Sequence, residues 1–354
     1  MIERTDPSFL SVARGTAPAE LLLRNAQVVD VFNRELSMAD VAVFGGRIAS
    51  LHGTDAAEVI DLNGAVLAPG FIDAHMHVES TMLTPRGFAQ LALPRGTTAV
   101  VLDPHEIANV MGVPGINMIM DDARGLPLRC WFTASSCVPA SPLETAACSL
   151  SVEDLTSLLE RDEVVALAEM MNVPGVINCD PNVLAKVAAG LTASQVDGHC
   201  PGLRGRDLDA YVASGVNSDH ESTTAEEAAE KLAAGMTIYI REGTAARNLE
   251  ALLPIVTPNN AHRVCFCADD RHPSDLHHHG HIDNIIRLAI LMGLDPATAI
   301  AMGSLHTAQH FGLRDHGAIA PGRRADLVEI HDLSQLTIGR VWAEGCCAHS
   351  IGPS

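Results

Sequence analysis

At 354 residues the chain passes the size at which one hydrophobic core normally stops growing, unless the fold is a large α/β barrel; one barrel plus a small accessory unit is the economical arrangement. A hydrophobic fraction of 47% with 28 glycines suits a packed enzyme and excludes a disordered chain. The formal charge of -20 argues against a general nucleic-acid grip, which needs Lys and Arg on phosphates, and favours a small neutral or cationic substrate.

Nine cysteines make an odd count with no CxxC pair, a pattern of free thiols in a reducing cytoplasm and not of a disulfide framework. MIERTDPSFL has no basic-then-apolar signal pattern, and no run of eighteen apolar residues occurs. The expectation is a soluble cytoplasmic protein with no membrane contact.

In chain order, LLLRNAQVVDVF, DVAVFGGRIASL and EVIDLNGAVLAPG, within residues 21–70, read as antiparallel strands of a small β unit. From about residue 68 to 310, short apolar strands alternate with Ala/Leu-rich helical stretches, as in βα units around a parallel sheet. Eight strands are predicted: VLAPGFIDAH, TTAVVLDPHE, RCWFTASSC, VVALAEMMN, SQVDGHC, GVNSDHE, MTIYIREG and RVCFCADDR. HIDNIIRLAILMGL and DPATAIAMGSLHTAQHFGL read as helices, the second with Asp295 as N-cap and Pro296 at the first helical position. GAIAPGRRADLVEIHDL then returns to β texture, as though the chain re-enters the first unit. The fold expected is a (β/α)8 TIM-like barrel over 67–316 with a small β-sandwich domain built from 1–66 plus 317–354. The tract HHHGH at 277–281 reads as a solvated loop in preference to a metal site.

Six of the eight predicted strands end in an ionisable cluster: His75 and His77, His105 and Glu106, Glu169, His199, His220, and Asp269 with Asp270. The seventh ends in Arg241 and Glu242; the third ends bland. In a barrel, the C-terminal strand ends form the active-site face, so these clusters would meet at one mouth. Residues i and i+2 of a strand share a face, so His75 and His77 can offer ring nitrogens to one ion. An isolated HxH says little; a Glu, two further His and an Asp at other strand ends of the same face change the balance. Imidazole with carboxylate suits zinc, iron or manganese, and six groups suffice for two ions sharing a carboxylate. Two such ions favour hydrolysis by lowering the pKa of a shared water, with Asp269 as the proton carrier. There is no GxSxG, Walker loop or GxGxxG following a strand, and Cys200 reads as a packing residue.

The whole pattern resembles the adenine deaminase family of the amidohydrolase superfamily. The superfamily likeness rests on PGFIDAHMH, the later His, His and Asp, and GAIAPGRRADLV. The narrower likeness rests on HVESTMLTP, LPRGTTAVVLDPHEIANVMG, LAEMMNVPGVI, DGHCPGL, SDHEST, IREGTAARNL and FCADDRHPSDL, which cover most of residues 68–290. The resemblance implies His75, His77, Glu169, His199, His220 and Asp269 as ligands of two divalent ions, manganese or iron before zinc, with Glu169 in the bridging place where other superfamily members often use a carboxylated lysine.

It also implies attack of a hydroxide shared by the ions on C6 of adenine, with Asp269 shuttling the proton, and release of hypoxanthine and ammonia. Glu106 and His105 are the further catalytic candidates; Arg241, Glu242 and Asp270 are the candidates for reading the purine edge. The partner is a small purine base, and a homodimer is expected. Two departures stand out. The chain stops at HSIGPS, where members of the family continue into a further C-terminal domain, and Leu305 and His306 replace the Asn-Pro often found in the superfamily. Competing readings are an amidohydrolase for another cyclic amidine or amide, and an idle paralogue that keeps a metal-stabilised barrel for binding or assembly.

Overall fold

The computed structural model describes residues 1–141, 143–193 and 195–350. The last four residues of the expected accessory unit, 351–354, lie outside the described residues. A short helix, Pro7–Ala13, precedes the first predicted strand; Pro7 presets its first turn and the Asp6 carboxylate accepts the Ser8 N–H at 2.8 Å. Five strands follow: β1 (Ala19–Asp30), β2 (Glu35–Phe44), β3 (Arg47–Ser50), β4 (Ala56–Asp61) and β5 (Val66–Pro69). The antiparallel expectation holds for β1 with β2 and β2 with β3, but β4 and β5 both run parallel to β1. Two strands on the same central strand in the same direction need connections that cross over, which a hairpin reading of the turns does not anticipate.

All eight predicted strands of the middle region are present as β6 (Phe71–Met76), β7 (Thr97–Leu102), β8 (Arg129–Ala134), β9 (Val164–Met170), β10 (Val196–Gly198), β11 (Ser218–Asp219), β12 (Thr237–Arg241) and β13 (Val264–Cys267). The run VLAPGFIDAH, however, is two strands. It divides at Gly70, with its first half in the terminal sheet and its second half among the parallel strands. An ideal Cβ on Gly70 would lie 2.0 Å from Thr98 Oγ1, so only glycine allows the chain to pass this close to β7.

β6 to β10 form one parallel sheet and β11 to β13 another. Single parallel bridges pair Val196, at one margin of the first sheet, with Val216, and Met76, at the second margin, with Asp269. At the second margin the Asp269 N–H donates to the His75 carbonyl at 2.9 Å. The chain then adds β14 (Leu327–Asp332), β15 (Thr337–Ala343) and β16 (Cys346–His349), which extend the terminal sheet in the order β16-β15-β14-β5-β1-β2-β3, with β4 on β1.

Period-two alternation divides the parallel strands between two cores. Ile72, Ala74, Ala99, Val101, Ala166, Tyr239, Cys265 and Cys267 pack together on the inner side, with Phe311 and Leu313 as a floor. Their neighbours Val100 and Leu102, or Val264 and Phe266, face the surrounding helices. The predicted helix at 295–313 is two helices, Pro296–Met302 and Leu305–His310; the Asp295 cap is as expected, accepting the Thr298 N–H at 2.8 Å. Leu305 begins the second helix and His306 is buried at its start, away from the ionisable cluster.

The tract HHHGH is solvated as expected at His277 to His279, which are exposed, but it is not a loop. His277 to His279 finish the helix Pro273–His279, and His281 is wholly buried, with its Nε2 2.8 Å from Asp73 Oδ2. All nine cysteines are free thiols. No helix among the described residues is long and apolar enough to cross a membrane.

Candidate metal centre

Strand alternation carries the inner face upward into a polar cluster. Tyr239 is followed two residues on by Arg241, Cys265 and Cys267 by Asp269, and Ala99 and Val101 by Asp103. In β6 the inner apolar residues are Ile72 and Ala74, the wrong phase for His75 and His77. A register shift against β7 between Asp73 and Met76 corrects this, turning both histidines to the cluster. An HxH motif at an unbroken strand end would have pointed its rings at the helices.

His75, His77, Glu169, His220 and Asp269 are all buried, and His199 is partly so. His75 Nε2 and His77 Nε2 lie 3.6 and 3.5 Å from the same oxygen, Asp269 Oδ1. Glu169 presents its two oxygens in different directions. Oε1 is 3.5 Å from His77 Nε2, whereas Oε2 is 2.6 Å from His199 Nδ1 and 3.1 Å from His220 Nε2. Three sets of donor atoms are close enough to hold an ion: His75, His220 and Asp269; Glu169, His199 and His220; and His77, Asp103, His105 and Glu169.

Two observations fit a cation. His75 Nε2 is buried without a hydrogen-bond partner. His77 Nδ1 lies 2.9 Å from the Asp103 carbonyl oxygen, to which it can donate, fixing the tautomer that leaves Nε2 as a lone pair. Burial opposes charge on Glu169 and Asp269, yet contacts with the neighbouring rings win. The His105, His199 and His220 rings hold Glu169 well below the usual carboxylate range, and His75 and His77 do the same for Asp269.

The remaining predicted residues divide. His105 lies 3.2 Å from both Asp103 Oδ2 and Glu169 Oε1, and Glu106 Oε2 is 3.4 Å from His77 Nδ1; both belong to the cluster. Against burial, the Asp103 carboxylate raises His105 to about 11. Arg241 is also in it, bonded through Nη1 to Asp269 Oδ2 and Glu221 Oε1 and through Nη2 to Glu221 Oε2 at 2.8 Å. Glu242 points away, accepting the Leu249 N–H at 3.1 Å within its own turn, as strand alternation after Arg241 requires. Asp270 is exposed at the rim. Cys200 is buried, and burial pushes its thiol far up, in keeping with a packing residue.

The third strand does not end bland. Ser135 donates to Asp103 Oδ1 at 2.6 Å and Ser136 to the Glu169 carbonyl at 2.8 Å, so β8 supports two cluster members from behind. Asp103 and Glu221 are further members that the sequence reading passed over. Alternation along TTAVVLD marks Asp103 as inward; Glu221 adjoins His220, and no pattern singles it out.

A model of the amidohydrolase family matches residues 66–345. Proteins named adenine deaminase are similar: that of Desulfatibacillum aliphaticivorans is 53% identical over 341 residues, 96% of this chain and 60% of its own length. That of Nitratidesulfovibrio vulgaris (strain DP4) is 47% identical over 95% of this chain and 59% of its own. The chain thus spans about three fifths of the length of these relatives. Among solved structures, an adenine deaminase aligns with TM-score 0.69 at 16% identity, covering 94% of this chain and 100% of that one. A beta-aspartyl dipeptidase from Fervidobacterium islandicum AW-1 aligns with TM-score 0.68 at 19% identity, covering 93% and 97%. At these identities the structures share the fold and carry nothing on substrate. The bulge-turned HxH motif, the two-faced Glu169 and the match over 66–345 lead to one conclusion: the chain belongs to the amidohydrolase family.

Proposed function

We propose that the chain deaminates adenine hydrolytically, converting adenine and water into hypoxanthine and ammonia. The observation that carries the reading is Glu169, whose two oxygens face different histidine groups as a carboxylate between two cations would. His75, His77 and Asp269 would hold one ion, His199 and His220 the other, with Glu169 between them. The nitrogen and oxygen donor set suits manganese or iron, with zinc possible. When bound, the pair supplies a water of lowered pKa and charge stabilisation at the reacting carbon.

The residues of the chain do the rest. Asp269 takes the proton of the attacking water and passes it to the departing amine. Arg241 holds the second oxygen of Asp269, which leaves Oδ1 turned to the histidines. His105 and Glu106 border the same space and orient water or base, and Asp270 at the rim reads the purine edge; Glu242 takes part only if its turn rearranges. The relatives named adenine deaminase support adenine as the substrate.

The same proposal takes β6 to β13 as a closed (β/α)8 barrel, supported by the bridges at both sheet margins, with the chain ends forming the second unit. Gly70 would be the point of passage between the two units, and a homodimer the assembled form. The test is ammonia release by the purified, manganese-loaded chain from adenine, adenosine, guanine and cytosine in parallel. Release from adenine alone is expected. A metal-loaded protein that hydrolyses none of the four would refute the reading, and a preference for another base would reassign the substrate.

A further inference from the structure

The two loops that bring His199 and His220 to Glu169 converge on one buried ammonium. Lys231, on the helix Ala225–Ala233, is wholly buried. Its Nζ donates to the Cys200 carbonyl at 2.7 Å, Asp219 Oδ2 at 3.0 Å and Glu227 Oε1 at 2.7 Å, with Ser222 Oγ at 3.2 Å. Cys200 directly follows His199, Asp219 directly precedes His220, and Ser222 lies two residues beyond it. The carboxylates extend the ties: Asp219 accepts the N–H of Cys200 and of Ser222, each at 2.9 Å, and Glu227 accepts that of Gly202 at 2.8 Å.

A helix needing only to cover its strands would place an aliphatic residue here. Burying an ammonium and two carboxylates is unfavourable unless each is paired, and an apolar replacement of similar volume is often no less stable. What the ionic arrangement adds is geometry, because its donors and acceptors fix two loops against each other at hydrogen-bond distances. The other half of the centre has its own support: Asp73 accepts the N–H of His75 and of Ala268 at 3.1 Å, with His281 behind it, and none of these groups bonds to Lys231.

We propose that Lys231 is a positioning residue which, with Asp219 and Glu227, sets the separation of His199 and His220 and so controls the affinity of the ion held by those two histidines more than that of the ion at His75, His77 and Asp269. This rests on the two-ion reading above. The test compares the chelator-stripped full chain with its Lys231→Met and Glu227→Gln variants. Each is titrated with manganese(II) by calorimetry, analysed for bound metal, and examined by electron paramagnetic resonance for coupling between neighbouring ions. Trp342→Leu, in the terminal sheet, controls for loss of stability alone.

The wild type is expected to bind two ions with a coupled spectrum. Lys231→Met should bind the first ion as the wild type does and the second about 10–100-fold more weakly, as when a residue behind a metal ligand is removed, with the spectrum of an isolated ion at one equivalent per chain. Glu227→Gln should show a smaller loss at the same ion, and it decides the matter if Lys231→Met does not fold. Trp342→Leu should keep both ions. Unchanged second-ion affinity in the two clamp variants, or equal weakening of both ions, would overturn the role of Lys231. A wild type that binds no manganese would instead overturn the metal reading itself.

Discussion

Replacing Gly70 by Ala tests how tightly the passage from the terminal sheet to the parallel strands is built. The added Cβ would sit 2.0 Å from Thr98 Oγ1, 2.7 Å from its Cγ2 and 2.9 Å from its Cβ. Turning the Thr98 side chain redistributes Oγ1, Cγ2 and Hβ over the closest positions but leaves the third contact, because the Cβ does not move with χ1. The relief must come from the backbone, and overpacking of this kind costs about 1–3 kcal/mol. Because β6 begins at Phe71 and carries His75, the shift also reaches the cluster.

In urea unfolding followed by the fluorescence of Trp131 and Trp342, Gly70→Ala should destabilise the protein by about 2 kcal/mol. Thr98→Ala removes the two closest atoms, so the double variant should recover about 1 kcal/mol relative to the sum of the single changes. A neutral Gly70→Ala, or effects additive within about 0.3 kcal/mol, would refute the close-approach argument.

Glu169→Ala should remove bound metal and reduce ammonia release below detection; metal analysis with near-normal turnover would show that the centre is misassigned. Asp269→Asn, which keeps the shape but not the proton acceptor, should lower kcat by about 10²–10⁴-fold, read by steady-state kinetics on adenine. His306 is buried, and burial pushes its imidazole down to about 4, against about 6.5 in the unfolded chain. Between those values the unfolded chain binds the proton first, so stability falls as pH drops from about 6.5 towards 4, by at most roughly 3 kcal/mol from this group. Urea midpoints across that window should fall less steeply in His306→Gln, and parallel curves would contradict the assignment.

What the sequence determined by itself was local and periodic. Apolar runs marked β6 to β13, and the polar residues at their ends marked His75, His77, Glu169, His199, His220 and Asp269, because alternation and strand length are properties of neighbouring residues. Asp295 capped its helix for the same reason. Only the tertiary structure decided the rest. It divided VLAPGFIDAH at Gly70 through contact with Thr98, a residue on another strand, and turned HxH inward through a register shift that depends on β7. It sent β4 and β5 parallel to β1, and buried His281 against Asp73 and Lys231 among Cys200, Asp219 and Glu227. Each of these outcomes depends on partners far along the chain, and a window of sequence records a residue's own preferences but not which distant group will reach it.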